Sequence, residues 1–150
     1  MGFVALIPEP AATQHGGFQR IYPAAVTGLR LAADGQVSIW ASLPADTMSA
    51  VIHAEDLTNQ IADLLRMIGS LDVVNSDTVA VAVGIDNVGM ISEGRVTDLP
   101  RSQSSPLSMS DKPVRLPPDE LVSIAALSAG AVEAAKPLAE ALADAATRRR

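Results

Sequence analysis

The sequence predicts an α+β domain with a mainly antiparallel sheet of about six strands and two long helices packed on one face. Strand and turn signals recur along the chain, whereas only two long segments show the helical period of 3.6 residues. The predicted order is β-β-β-α-β-β-β-α, which is typical of α+β folds. The chain has 150 residues, 48% of them hydrophobic, so a single domain over 1–150 can bury a core.

Three strands are predicted before the first helix. The apolar run 3–8 ends at a proline-rich "PEP" and fits a buried strand or an edge strand. Two β-rich runs, 26–32 and 36–42, then flank Asp34-Gly35, a pair favoured where turn residues need positive φ. These runs predict a hairpin.

Segment 53–71 is the clearest predicted helix. Its apolar residues recur at spacings of three and four and form one stripe: Leu57, Ile61, Leu64, Leu65, Ile68 and Leu71. Glu55 and Asp56 stand in the first turn, where negative charge suits the helix dipole. The Ala-rich segment 130–150 predicts a second long helix, in which Pro137 either causes a kink or marks a second start.

The second half of the chain also predicts strands. Segment 77–86 is almost continuous Val and Ala, which fits a central strand buried on both faces. Turn signals in 86–99 predict a β-meander. The polar segment 100–113 predicts a flexible Ser/Pro-rich loop. Segment 120–127 fits either a strand or a helix, and the alternation of its apolar residues favours the strand.

The composition argues against several functional classes. A net charge of −6 and a pI of about 4.7 argue against direct nucleic-acid binding. The basic run Arg148-Arg149-Arg150 is interpreted as favourable charge at a helix C-terminus. The chain has no Cys and no apolar run of membrane-spanning length, which predicts a cytoplasmic protein without membrane contact. The strand-like start, without a signal-peptide pattern, suggests a domain from a longer protein.

The sequence offers few candidates for chemistry. It contains neither a GxSxG nucleophile motif nor a glycine-rich phosphate-binding loop, so we predict no catalytic residue and no cofactor. His53 and Asp56 have the spacing of helical metal ligands, but flanking or capping the helix is the stronger interpretation of His53, and we predict no metal site. A small-molecule pocket would use His53, Glu55, Asp86 and Arg95.

Aromatic residues make up only 3% of the chain, so its core must consist mainly of aliphatic side chains. A core of this kind favours an apolar surface that needs a partner. The predicted interface residues are Trp40 on the hairpin and Ala134, Leu138 and Leu142 on the last helix. Trp40 also fits a simpler role as a cover over the sheet edge. The predicted partner is a second copy of the chain or another domain of the same parent protein.

Three segments, "RIYPAAVTGLRLAADGQVSIW", "DLTNQIADLLRMIGSL" and "VAVAVGID", resemble a known family. They are similar to the C-terminal region of actinobacterial proteins in which an AlbA-type, Schlafen-like DNA- or ATP-binding domain precedes a small α+β domain. The resemblance implies an accessory domain of a transcriptional regulator, with any nucleotide or nucleic-acid site in the preceding domain. None of the matched positions is catalytic, so no catalytic residue is implied.

Two functional classes remain at this point. The first is a non-catalytic interaction or dimerisation module, which requires an apolar surface left open by the fold. The second is a small-molecule-binding domain or an enzyme with a pocket near His53. The missing motifs favour the first class. A pocket holding His53 beside Asp86 or Arg95 would favour the second.

Overall fold

The computed structural model describes residues 2–6, 26–33, 35–45, 49–71, 76–86, 90–98, 106–108 and 112–148. The strands are β1 (Gly2–Leu6), β2 (Val26–Leu31), β3 (Val37–Ala41), β4 (Ala50–Ile52), β5 (Thr78–Ile85), β6 (Ile91–Glu93), β7 (Pro106–Ser108), β8 (Val114–Leu116) and β9 (Leu121–Ser123). The helices are α1 (Ala54–Ser70), α2 (Ile124–Ala129) and α3 (Ala131–Thr147), with a 3₁₀ turn at Val96–Asp98. The predicted α+β class is confirmed.

The larger sheet has the strand order β2-β3-β1-β5-β8, and β9 also pairs with β5. Its centre is parallel, because β1 runs parallel to both β3 and β5. The outer pairings, of β2 with β3 and of β8 and β9 with β5, are antiparallel. The run 3–8, predicted as a buried or an edge strand, therefore contributes the central strand of this sheet.

A second sheet joins β4, β6 and β7, so the strands do not form one sheet as predicted. β6 runs parallel to β4 and antiparallel to β7. The predicted meander through 86–99 is therefore wrong, because β5 and β6 are consecutive strands that belong to different sheets. Turn signals report local chain reversal, whereas strand pairing is decided by residues far away in the sequence. Three residues of the predicted loop 100–113 form β7, and most of the others lie outside the described residues.

The predicted hairpin of β2 and β3 is present. Gly35 in its turn has φ +84°, the left-handed region that glycine adopts without strain. Gly28 lies opposite Trp40 in the antiparallel register, beside a bulge in β2. A Cβ at Gly28 would collide with the Trp40 ring, so the indole lies directly over this glycine.

Helices α1 and α3 pack against each other and against one face of the larger sheet. Strand register defines the residues of that face, because residues that pair across neighbouring strands lie on the same face of a sheet. Val37 and Val81 both pair with Gly2, and Ile39 and Val83 both pair with Val4. One core cluster includes Val37, Ile39, Val81 and Val83 together with buried residues of both helices and of β4 and β6. No helix in the described part of the chain is long and apolar enough to span a membrane.

The C-terminal part answers two questions that the sequence left open. Segment 120–127 contains both a strand and a helix, because β9 leads directly into α2. Ser123 caps that helix, with its hydroxyl oxygen accepting from the Ala126 backbone N–H. Helix α3 is continuous, with Pro137 inside it. Because proline has no N–H, the Glu133 carbonyl loses its usual i+4 donor.

Candidate interaction surface

The start of α1 brings together three of the four predicted ligand-binding residues. His53 is the N-cap, and its Nδ1 accepts from the Glu55 N–H at 3.3 Å, so the predicted capping role of His53 is confirmed. The Glu55 carboxylate forms an ion pair with Arg95, which follows β6. Asp86, the fourth residue, follows β5 and pairs with Arg115 of β8 at 2.6 Å. Their role in ligand binding stays a prediction.

Asp56 connects the first turn of α1 to the segment after β6. Its Oδ2 accepts from the Val96 backbone N–H at 3.0 Å, and the contact is partly buried. This carboxylate also lies where the helix dipole favours negative charge. The start of α1 thus serves as an anchor for the second sheet.

We expect Asp56→Ala to lower the free energy of unfolding by about 1–3 kcal/mol, because the Val96 N–H would lose its acceptor. Asp56→Asn keeps an acceptor oxygen and removes the charge, so it should cost less. Urea denaturation of both variants measures the difference. Equal losses in the two variants would show that the charge, and not the hydrogen bond, stabilises this junction.

Trp40 is half-buried on β3. Its position over Gly28, on the neighbouring strand, supports the simpler interpretation as a cover over the sheet edge. The interface role predicted for Trp40 remains a prediction.

A groove of about 540 Å³ lies between α3 and the segment that carries β8 and β9. We call it the α3 groove. Its helical wall consists of Gly130, Glu133, Ala134, Pro137, Leu138 and Ala141. The opposite wall is formed by residues between 116 and 123, with Val81 and Ala126 completing the lining. Apolar side chains predominate in both walls.

The two sides of α3 have separate roles. Its buried side carries Ala131, Ala135, Ala139, Leu142 and Ala146, which face the core. The groove side is offset from this stripe and also follows spacings of three and four, so it forms one continuous surface along the helix. Small residues predominate on the buried side, which allows close packing against α1, and Gly130, Ala134 and Ala141 add little bulk to the groove wall.

The rim of the groove combines negative charge with an exposed leucine. Asp119, Glu120 and Glu133 are all exposed, and each contributes to the lining. Leu121 also lines the groove and has 69% of its surface exposed, the largest value among the exposed large hydrophobic residues of the described chain. The surface therefore presents an apolar channel, a protruding aliphatic side chain and three carboxylates.

Two predicted interface residues, Ala134 and Leu138, line this groove and are half-buried. Leu142, the third one on the helix, is 0% exposed and belongs to the core, so it cannot contact a partner. The contributions of Leu121, Pro137, Ala141 and the acidic rim to this groove were not predicted from the sequence. The spacing of the small residues in α3 indicated the helical wall of the groove, but no local sequence pattern predicted the opposite wall.

The described side chains include no cluster of three or more His, Cys, Asp or Glu residues with the geometry to hold a metal ion. Comparison with known proteins identified no relative: no protein-family profile, curated protein or solved structure matches this chain.

Proposed function

We propose that this chain is a non-catalytic interaction module that forms a homodimer through the α3 groove. The observation that carries the proposal is an apolar groove that lies beside an exposed leucine on the same surface. Isolated exposed apolar residues are normal on protein surfaces, whereas a contiguous apolar channel with a polar rim is typical of interaction sites.

The occupant that best fits this surface is a second copy of the chain. A two-fold interface uses the same patch on both subunits, so the patch must contain both a protrusion and a recess. Leu121 is the protrusion, and the channel beside Ala134 and Ala141 is the recess. Burying a leucine side chain contributes about 1.5–3 kcal/mol, and the symmetry of a dimer provides this contribution twice.

The regulatory part of the proposal rests on the resemblance to accessory domains of AlbA-type, Schlafen-like proteins. In such an arrangement, dimerisation by this domain would bring two copies of the preceding domain together. The nucleotide or nucleic-acid site would then lie outside the present chain. The net charge of −6 agrees with that division of roles.

A second candidate function is small-molecule binding near His53. The observation in its favour is that His53, Glu55 and Arg95 meet at the start of α1. The pairing of Glu55 with Arg95 and the capping role of His53 also give each of these groups a structural task. The α3 groove contains none of the three, so the dimer remains the better-supported function.

Light scattering over a concentration series tests the homodimer. We expect a mass of twice 15.5 kDa that is retained on dilution to micromolar concentration. Leu121→Thr should raise the dimer dissociation constant by about tenfold or more, because one leucine contact is lost on each side. Ala141→Gln keeps good helix propensity and adds bulk in the groove, so it should weaken the dimer as well.

Val132→Thr is the matched control for Leu121→Thr. Val132 is an exposed apolar residue of α3, at 39%, but it does not line the groove. This variant should dimerise like the wild type. A wild-type chain that stays monomeric at all concentrations would disprove the homodimer, and equal effects of the two threonine variants would place the interface elsewhere.

A further inference from the structure

We infer that the occupant of the α3 groove is helix α3 of the second copy in antiparallel orientation, with its arginine-bearing C-terminal end at the acidic rim. This inference rests on the proposed homodimer and specifies its geometry. It follows from the distribution of charge and of small residues along α3.

The groove side of α3 has opposite charges at its two ends. Glu133 lines the groove in the first turn. Arg148, the C-cap, follows the groove residue Gly130 by about five full helical turns and so stands on the same side of α3, beyond the groove lining. In an antiparallel pair, the first turn of one helix lies opposite the last turn of the other, so both Glu133–Arg148 contacts form at the same time. Fifteen residues separate the two positions, or about 22 Å along the helix axis. The two-fold axis would then pass close to Ala141.

Small residues on the groove side permit this close approach. Gly130, Ala134 and Ala141 face the groove, so little side-chain volume would separate the two helix backbones at these three positions. Leu138 is the largest α3 residue of the lining, and it is already half-buried. Leu121 stands on the opposite wall, where it would pack along the second helix.

The acidic rim completes a binding site for arginine side chains. Asp119 and Glu120 stand on the wall opposite Glu133, so carboxylates border both sides of the channel. A guanidinium group has five N–H donors and can use several of these oxygens at once.

The charge distribution would also select the antiparallel orientation of the two α3 helices. With a net charge of −6, two copies repel each other unless positive and negative groups face one another locally. Arg148 forms an ion pair with Asp144 of its own helix, and Arg149 and Arg150 follow in the sequence, so this end carries an excess of positive charge. All of these groups are near solvent, so added salt should weaken the association.

Charge-reversal variants test the antiparallel orientation. We expect Glu133→Arg and Arg148→Glu each to raise the dimer dissociation constant by about tenfold, because two ion pairs become two repulsions. An equimolar mixture of the two variants should associate as tightly as the wild type. Each contact in that heterodimer again joins one Arg and one Glu. Sedimentation equilibrium at 50 and 500 mM NaCl gives the dissociation constants of the wild type, of each variant and of their equimolar mixture.

Arg66→Glu is the matched control. Like Arg148→Glu, it breaks an exposed Arg–Asp pair within one helix and makes the chain more acidic by the same amount, but it lies on α1. This control should leave dimerisation close to that of the wild type. Circular dichroism melting of every variant separates weakened association from loss of folding.

The possible failures are distinguishable. If Leu121→Thr weakens a dimer that the charge reversals leave unchanged, the homodimer stands and the antiparallel orientation is disproved. A parallel orientation would place Glu133 opposite Glu133, so a mixture of Glu133→Arg with wild type would then associate more tightly than either alone. A wild-type monomer at every concentration overturns both proposals.

Discussion

Leu142→Ala should lower the free energy of unfolding by about 2–5 kcal/mol, the range for truncating a buried leucine. Leu142 is 0% exposed and lies in the core cluster with buried residues of α1 and the larger sheet. Its neighbours are held by two packed helices, so they cannot easily collapse into the space it leaves. Guanidinium denaturation monitored by circular dichroism measures the loss.

Leu142→Ala also separates the core side of α3 from its groove side. Ala141, the preceding residue, faces the groove and is exposed, so Ala141→Gln should change the free energy of unfolding by less than about 0.5 kcal/mol. Each variant should be compared with the wild type at several chain concentrations, because any association would stabilise the folded state to an extent that depends on concentration. A Leu142→Ala variant that unfolds like the wild type would contradict the buried position of this side chain.

Gly84→Ala should lower the free energy of unfolding by about 1–3 kcal/mol, because the added methyl group has no space. A Cβ at this position would stand 2.6 Å from the Val114 backbone oxygen and 3.0 Å from Arg115 Nη1. Val114 and Arg115 belong to β8, the strand that pairs with this end of β5. Relief of the contact requires movement of the β8 backbone, which disturbs the pairing. Thermal unfolding followed by calorimetry gives the change.

Gly69→Ala provides the contrasting control. Its Cβ would meet the Ser128 hydroxyl at 2.5 Å, but that group is a side-chain end that can rotate away. Replacing glycine by alanine inside a helix also contributes up to about 1 kcal/mol of stability, so the two effects should largely cancel. A larger loss for Gly69→Ala than for Gly84→Ala would show that the α1–α2 contact is the less adaptable of the two.

Elements defined by local chemistry could be predicted from the sequence. The stripe of leucines and isoleucines predicts α1, and the structure forms that helix at Ala54–Ser70 with the stripe facing the core. Asp34-Gly35 predicts the hairpin turn, and Gly35 has the positive φ that this turn chemistry requires. The Val- and Ala-rich run predicts a buried central strand, which became β5 between β1 and β8.

The arrangement of the strands could not be predicted, because it depends on distant partners. Nothing in "FVAL" specifies that β1 pairs with strands 35 and 79 residues further along the chain, as the register from Gly2 to Val37 and Val81 shows. The same limit applies to the α3 groove. One wall was visible as small residues at helical spacing, but the other wall comes from β8 and β9, and only the fold brings the two together.

The central position of β1 has a consequence during protein synthesis. This strand leaves the ribosome before both of its neighbours, since β3 ends at Ala41 and β5 ends at Ile85. At about 5–20 residues per second, the nascent chain waits roughly 4–16 s between release of β1 and release of the last residue of β5. During that interval at least one hydrogen-bonding edge of an apolar segment stays unpaired, a condition that favours aggregation or chaperone binding. The parallel centre of the larger sheet can therefore form only after β5 is released, and β1 must keep one edge open until then.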